Sequence, residues 1–258
     1  MSIKLPEPVT NIPYTLLLEP YLTKENLDQV YSSATHEDGS QIILAHQDSD
    51  TSSVTVYQAF SDPIADYAVK YQTFEGAPGY KTTRMTWIKP SFLWMQYRSG
   101  WNTKDARQTR TLAIQLTAPF FDSLVQSAVR SSYRHHTRSN NDGADIYSTK
   151  EDWDHARGQT NVVVQWDPQY TPNVQTPERV TGTTRRAIQL GLKGDAAAML
   201  ARGVAVTSGD GQTNGVLSIE DITPFVNEMR IRLEADKNKT GNERFANLWV
   251  PKERPYNC

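Results

Sequence analysis

The stretch RMTWIKPSFLWMQYRSGW, Arg84–Trp101, predicts a strand, a turn and a short helix in succession. Its first part, RMTWI, has the aromatic and β-branched content of a strand. Pro90 is typical of a helix start and Gly100 of a helix end. The apolar side chains between them point in almost every direction around the helix, which indicates that the helix is buried nearly all round. We therefore expect most of its aromatic side chains to lie in the core.

Around this stretch, strand-like and helix-like segments mix without a strict βαβ alternation. Runs rich in β-branched residues predict strands at 53–60, 110–117, 161–166 and 186–194. Helical spacing predicts helices that start near 61, 118 and 195, and one more over 218–233 that is interrupted or restarted near Pro224. The predicted fold class is α+β, a single domain in which helices flank a mixed, mostly antiparallel sheet.

The chain divides into an N-terminal appendage over residues 1–35 and one domain over residues 36–258. Prolines at three positions of the appendage favour an extended start. Residues 131–160 are polar and lack a clear period, so we interpret them as a long excursion from the domain.

The composition excludes several kinds of chemistry. Cys258 is the only cysteine, which excludes an intrachain disulfide and a cysteine zinc cluster. The five histidines have no zinc-motif spacing, so we expect no metal site. The sequence has no nucleophile elbow, P-loop or dinucleotide glycine motif. No apolar run reaches the length of a signal peptide or a membrane span, which predicts a cytoplasmic protein with no membrane partner.

A local cluster of positive charge surrounds the tryptophan stretch. Seven basic residues and one acidic residue lie between Lys81 and Arg110, although the net charge of the chain is −2. Arg84 and Lys89 flank the strand-to-helix turn, and Arg98 lies near the helix end. Ser91 lies in the first turn, where free backbone amides favour an anion. The pattern predicts a phosphate-binding site, and the alternative is that each cation pairs with a carboxylate.

Aromatic and carboxylate side chains complete the predicted site. Trp94 or Trp101 would stack against a ring of the ligand. Asp167, which ends a strand, or Glu178 would serve as a catalytic base.

Two glutamines interrupt apolar strands. The two-residue period of a strand places Gln165 on the same face as Asp167, and Gln189 lies within the next predicted strand. A buried amide must form hydrogen bonds, so each glutamine binds either a neighbouring strand or a ligand.

These motifs together resemble a known family. The segments VYQAF, the tryptophan stretch, LAIQL, VVVQWDP, RAIQLGLKG, IEDITP and PKERPY resemble domain-of-unknown-function family 4291 from about residue 41 to residue 256. The resemblance implies a single domain outside membranes, and the family has no established activity to carry over.

The chain departs from the family pattern at two places. The family opening resembles Arg-Gln-Ile-Arg-Ala, whereas residues 40–45 here are SQIILA and lack both arginines. The family usually has Glu-Arg after QWDP, whereas Gln169 and Tyr170 follow it here. If the missing arginines belong to a site, this member has an altered or weakened activity.

Three classes of function fit these observations. The first is an enzyme that binds a nucleotide or a phosphorylated small molecule in the basic and aromatic pocket. A specific version resembles the ADP-ribosyltransferases and would use NAD as its cofactor. The second is a domain without catalytic activity that binds a nucleotide or a nucleic acid, and the third is a domain that binds another protein. The net negative charge disfavours extended nucleic-acid binding, and the sequence indicates no particular oligomeric state.

Overall fold

The protein has a mixed α+β fold with mostly antiparallel sheets. The computed structural model describes residues 8–22, 43–133, 147–181, 186–204 and 215–256. Residues 40–42 of the altered family opening, His36, His135, His136 and Cys258 lie outside these ranges. None of the helices within them is both long enough and apolar enough to cross a membrane.

Eleven strands and six α-helices lie within the described ranges. The strands are β1 (Leu18–Pro20), β2 (Ile43–Asp48), β3 (Ser53–Phe60), β4 (Thr86–Ile88), β5 (Arg110–Thr117), β6 (Val129–Arg130), β7 (Val162–Pro168), β8 (Arg186–Leu192), β9 (Val216–Asp221), β10 (Trp249–Pro251) and β11 (Glu253–Tyr256). The helices are α1 (Asp62–Tyr71), α2 (Phe92–Ser99), α3 (Ala118–Gln126), α4 (Lys150–Gln159), α5 (Gly194–Arg202) and α6 (Thr223–Ala235). A short 3₁₀ helix spans Gly241–Phe245.

The strands form three sheets. The largest is antiparallel throughout, with the order β11-β2-β3-β5-β9. A second sheet has the order β4-β8-β7-β6, in which only the β6–β7 pair is parallel. Strands β1 and β10 form a separate antiparallel pair.

One β-bridge connects the two larger sheets. The amide of Tyr57 in β3 donates to the carbonyl of Lys89, 2.7 Å away, and the amide of Lys89 donates back over 3.1 Å. Lys89 directly follows β4, so the bridge holds the end of β4 against the centre of β3. Polar side chains beside this bridge form the candidate site described below.

Two apolar cores lie on opposite faces of the five-stranded sheet. Because side chains alternate along a strand, Leu112, Ile114 and Leu116 of β5 enter the first core, whereas Ala113 enters the second. Apolar residues of β8, α1, α3 and α5 complete the first core. Helices α2 and α6 cover the other face and supply most of the second core.

The tryptophan stretch folds largely as its sequence predicts. Helix α2 begins after Pro90, and Gly100 ends it with a left-handed backbone at φ +58°. Five of its eight residues are buried. The strand predicted at 110–117 is confirmed with the same bounds, and the strand predicted at 186–194 is confirmed over Arg186–Leu192.

The prediction of helical structure over 218–222 is wrong, whereas the predicted restart of the helix near Pro224 is confirmed. Residues Val216–Asp221 form strand β9, in which Ile219 lies opposite Ile114 of β5. The helix begins only at Thr223, where Pro224 occupies its first turn. Pairing with a sheet edge more than 100 residues away overrides the local helical pattern.

Part of the predicted polar excursion is helical. Helix α4 occupies Lys150–Gln159, and the Thr149 side chain caps it by accepting a hydrogen bond from the amide of Asp152, 3.1 Å away. Trp153 is its one buried residue and donates from its indole nitrogen to the carbonyl of Arg130, 2.9 Å away. One aromatic anchor is too weak a periodic signal to reveal this helix in the sequence.

The described part of the N-terminal segment packs against the domain. Glu220 of β9 accepts hydrogen bonds from the amides of Tyr14 and Thr15, at 2.8 and 3.0 Å. Glu228 of α6 accepts from the amides of Thr10 and Asn11, at 3.1 and 2.9 Å. These two carboxylates fix the segment so that β1 can pair with β10.

Candidate functional site

A cleft of about 590 Å³ lies beside the Tyr57–Lys89 bridge. Its volume falls in the range of small-molecule sites, which is roughly 300–1,000 Å³. Strands β3, β4, β7 and β8, helix α2 and the loop after α2 supply its walls. The polar and aromatic side chains that line it are Gln58, Thr86, Trp87, Lys89, Arg98, Lys104, Asp105, Gln108, Gln165 and Gln189.

Lys89 lies deep in the cleft, with only 6% of its surface exposed. Its Nζ donates one hydrogen bond, to the carbonyl oxygen of Trp87 at 3.0 Å. Burial is the main cause that lowers the pKa of Lys89 to about 7, and the nearby positive charge of Arg98 lowers it further. The opposing influence of Asp167 is smaller. A substantial fraction of Lys89 is therefore an uncharged amine at neutral pH.

Asp167 is held rigidly beside this lysine. Gln165 of β7 and Gln189 of β8 lie opposite each other in the sheet register. Gln165 donates to one carboxylate oxygen of Asp167 at 2.9 Å, and Gln189 donates to the other at 3.0 Å. Burial raises the pKa of Asp167, while the two amides, Arg98 and Lys89 favour its charged form. Each glutamine was predicted to bind either a neighbouring strand or a ligand. In the structure, both bind Asp167 within the sheet.

Arg98 and Lys104 add two exposed positive charges to the cleft. Neither side chain forms an ion pair or a hydrogen bond with any residue in the ranges that the structure describes. The acid that follows Lys104 in sequence, Asp105, binds Arg107 instead, with 2.8 Å between the charged atoms. The alternative prediction, in which each cation pairs with a carboxylate, therefore does not hold for Arg98 and Lys104 within the described ranges.

Trp87 supplies the aromatic wall of the cleft. Its indole is half-buried and lies over Gly191 of β8, its neighbour in the sheet register. A Cβ at Gly191 would lie 3.0 Å from Cη2 of Trp87, 2.8 Å from Sδ of Met85 and 2.9 Å from Cγ2 of Val163. The absence of a side chain at residue 191 therefore allows the indole to lie flat against the sheet.

We expect the Gly191→Ala variant to lose about 1–3 kcal/mol of unfolding free energy, because the added methyl group must displace the indole or its neighbours. The matched control is Gly158→Ala in helix α4, where a Cβ meets no atom within 4 Å. That control should be neutral or slightly stabilising, since alanine favours a helix. Urea unfolding measures both variants, and equal stabilities would contradict the close packing of Trp87.

The other predicted aromatic residues lie outside the cleft. Trp101 is 2% exposed and packs edge-on against Phe92 in the second core, with 6.1 Å between ring centroids. Trp94 is 6% exposed and stacks on Tyr97, with 5.0 Å between centroids. Tyr97 in turn stacks on Tyr170 at 4.0 Å. Neither predicted tryptophan faces the cleft cations, and Trp87 takes the position that the sequence assigned to them.

Arg84 and Glu178 also lie apart from the main cleft. Arg84 is exposed in the turn before β4 and is absent from the cleft lining. Glu178 is exposed in the loop between β7 and β8. Of the two predicted catalytic carboxylates, only Asp167 lies beside the cleft cations.

The helix start at Ser91 faces a second, smaller pocket and already has a carboxylate partner. The amide of Phe92 donates to Glu253 of β11 at 2.5 Å, and the hydroxyl of Ser91 binds the same carboxylate. This pocket measures about 80 Å³ and is also lined by Trp94. Its volume is well below the range of ligand sites, and the anion position predicted for a phosphate is held by Glu253.

Glu253 should make the stability of the protein depend on pH. Burial is the main cause that raises its pKa to about 8, against the hydrogen bonds from Phe92 and Ser91. Since the folded-state pKa lies above the unfolded value of about 4.3, the folded protein binds the extra proton, and its stability falls as pH rises from about 4.5 to about 8. We expect Glu253→Gln to gain stability relative to the wild type between pH 5 and pH 8.5.

Chemical denaturation at the two pH values measures this difference, and Glu75→Gln, an exposed site, is the control. A stability difference between Glu253→Gln and the wild type that stays constant with pH would contradict the raised pKa.

The sequence did not identify six polar or aromatic residues of the cleft, namely Gln58, Thr86, Trp87, Lys104, Asp105 and Gln108. Gln58 interrupts an apolar strand, which is the signal that identified Gln165 and Gln189. Its amide nitrogen donates to Thr86 Oγ1 at 2.5 Å, while its buried Oε1 has no partner among the described residues. Lys104 belongs to the basic cluster that the sequence reveals. Because it lies in a loop, no periodic pattern in the sequence indicates the direction of its side chain.

No group of three or more histidine, cysteine, aspartate or glutamate residues suited to a metal ion occurs within the described ranges.

Comparison with protein families matches residues 42–256 to a model described as a domain of unknown function, DUF4291. A search of the curated proteins finds no match.

Proposed function

The chain belongs to the DUF4291 family, and from the geometry of its cleft we propose that it is an enzyme that binds a phosphorylated small molecule with an aromatic ring, such as a nucleotide. Arg98 and Lys104 hold the phosphate, the indole of Trp87 stacks against the ring, and Lys89 faces the reacting part of the ligand, with Asp167 close enough to influence Lys89.

The observation that carries this proposal is the group of three basic side chains in one cleft. Lys89, Arg98 and Lys104 all line it, and no carboxylate of the described residues forms an ion pair with any of them. Like charges in one cleft repel each other, so the free protein bears an electrostatic cost that a bound anion relieves. A phosphate group, with its several acceptor oxygens, matches the donors of an arginine and a lysine.

The side chains of Trp87 and Met85 indicate what the uncharged part of the ligand is. Trp87 offers a half-exposed indole face, and Met85 beside it is 37% exposed. Aromatic faces of this kind stack on nucleobases. The buried Oε1 of Gln58, which lacks a partner in the described ranges, would accept a hydrogen bond from an amino group of the ring.

A catalytic role is supported by two titratable groups, Lys89 in the cleft and Asp167 in a neighbouring pocket that shares Gln165 with the cleft. Lys89 has a lowered pKa and Asp167 a raised one, and perturbed groups of this kind cluster at active sites. Asp167 would act as the base, as expected from the sequence. NAD is one member of the ligand class, since it combines phosphates with two rings.

A thermal-shift screen tests the proposal. The panel contains nucleoside phosphates, NAD and phosphorylated sugars, each beside its form without phosphate. We expect at least one phosphorylated compound to raise the Tm of the wild type, because a ligand stabilises the folded state that binds it. The same compound should not raise the Tm of Arg98→Ala.

The matched control variant is Lys237→Ala, which removes an exposed cation outside the cleft. It should respond like the wild type. If no compound stabilises the wild type, or if Arg98→Ala responds equally, the phosphate site is not in this cleft. Incubation of the wild type with the best compound then separates an enzyme, which forms product, from a binding domain, which does not.

A further inference from the structure

We propose that Lys89 is a nucleophile that forms an imine with an aldehyde or ketone group of the phosphorylated ligand. This inference rests on the proposed function, and it names the substrate class as a phosphorylated carbonyl compound. It also separates Lys89 from Arg98 and Lys104, which serve as the charges that bind phosphate.

The hydrogen bonding of Lys89 favours an uncharged amine. An ammonium group has three N–H donors that need acceptors when buried. In the described part of the chain, the Nζ atom has one acceptor, the carbonyl oxygen of Trp87, and no carboxylate within ion-pair distance. The guanidinium of Arg98 lies close enough to disfavour a second positive charge. A neutral amine fits these surroundings and presents a lone pair to a ligand in the cleft.

The exposure of the three basic residues indicates which part of the ligand each one binds. Arg98 and Lys104 are exposed at the cleft surface, where a charged phosphate keeps part of its hydration. Lys89 is 6% exposed, so the group that meets it is removed from water. An uncharged carbonyl is far cheaper to bury there than a phosphate. A ligand held at the surface by its phosphate would therefore place its carbonyl carbon at Lys89.

The reaction balances with the amine of Lys89 and the carboxylate of Asp167, whose charge acts on Lys89. The Nζ lone pair attacks the carbonyl carbon, a C–N bond forms, and the π electrons move to oxygen, which takes up the first of the two amine protons and becomes a hydroxyl group. Asp167 accepts the second amine proton and passes it to the hydroxyl group. Water leaves, and the product is an imine: one amine and one carbonyl give one C=N bond and one water molecule. The raised pKa of Asp167 suits both proton transfers.

Pyridoxal 5′-phosphate is a direct probe, because it joins a phosphate, an aromatic ring and an aldehyde. The wild-type protein is incubated with it at pH 7, borohydride reduces any imine to a stable secondary amine, and peptide mapping locates the label. We expect Lys89 to be labelled at least about tenfold faster than any exposed lysine, since an exposed lysine with a pKa of about 10.4 is almost fully protonated at pH 7.

Two further arms test the geometry. Pyridoxal, which lacks the phosphate, should label Lys89 much more slowly, and Arg98→Ala should lose the advantage of the phosphorylated probe. Labelling spread evenly over exposed lysines, or concentrated on Lys104, would overturn the proposal.

The imine and the phosphate site can fail separately. If the unreduced probe raises the Tm of both the wild type and Lys89→Met, but Lys89 is not labelled, the imine proposal fails and the phosphate site stands. If the probe neither stabilises the protein nor labels it, and no other phosphorylated compound stabilises it, both fail.

Discussion

Replacing Trp101 by alanine is expected to lower the free energy of unfolding by about 3–5 kcal/mol, the usual cost of removing a large aromatic side chain from a core. Trp101 is 2% exposed and contacts Phe92 in the second core. Its loss leaves a cavity between α2 and α6. Trp87→Ala should cost less, about 1–2 kcal/mol, because only part of that indole is buried.

The two tryptophan variants should have opposite effects on the ligand. Trp87→Ala removes the stacking surface and should weaken binding, whereas Trp101→Ala at a temperature where it remains folded should bind normally. Denaturant unfolding and ligand titration measure the two quantities on the same samples. A Trp101→Ala variant as stable as the wild type, but unable to bind, would return this residue to the ligand site that the sequence suggested.

Removing both surface cations of the cleft should nearly abolish binding of a phosphorylated ligand. A hydrogen bond to a charged group contributes roughly 1.5–3 kcal/mol. The variant Arg98→Ala Lys104→Ala should therefore bind roughly 100-fold more weakly or worse, given that about 1.4 kcal/mol corresponds to a factor of ten. Its folding should be unaffected, because both side chains are exposed and neither has an ion-pair partner in the described ranges.

Calorimetric titration measures this loss. Arg107→Ala is the control, since it removes a neighbouring cation whose partner is Asp105. Raising the salt concentration should weaken the wild type more than the double variant, because only the wild type holds the phosphate with those two charges. Equal affinities of wild type and double variant would contradict the assignment of the phosphate to this side of the cleft.

The local sequence predicted much of the fold and four of the ten polar and aromatic residues that line the cleft. Pro90 and Gly100 mark the ends of α2 because both act on the backbone of their own segment. The two-residue period of strands brought Gln165 and Asp167 to one face, and pairing with β8 added Gln189. Such signals depend on neighbours in sequence, so they can be read before any tertiary contact is known.

The remaining features depend on contacts between distant segments. The sequence predicted an anion site at Ser91. In the structure, Glu253 of β11 occupies the helix start, although it lies more than 160 residues away in sequence. Trp87 and Trp101 belong to one short stretch, and the local sequence gives no signal that distinguishes their positions in the fold. Trp101 is buried in the second core together with residues of α6, whereas the glycine at 191 leaves room for the indole of Trp87. Strand β9 was read as helix for the same reason, since its pairing with β5 is not local.

The most direct measurement is an experimental structure of the protein with the best phosphorylated compound of the screen. The account predicts that the phosphorus lies within hydrogen-bonding reach of Arg98 and Lys104, and that the ring of the ligand lies against Trp87. A ligand bound elsewhere, for instance in the small pocket beside Glu253 and Trp94, with the cleft free of ligand, would contradict it.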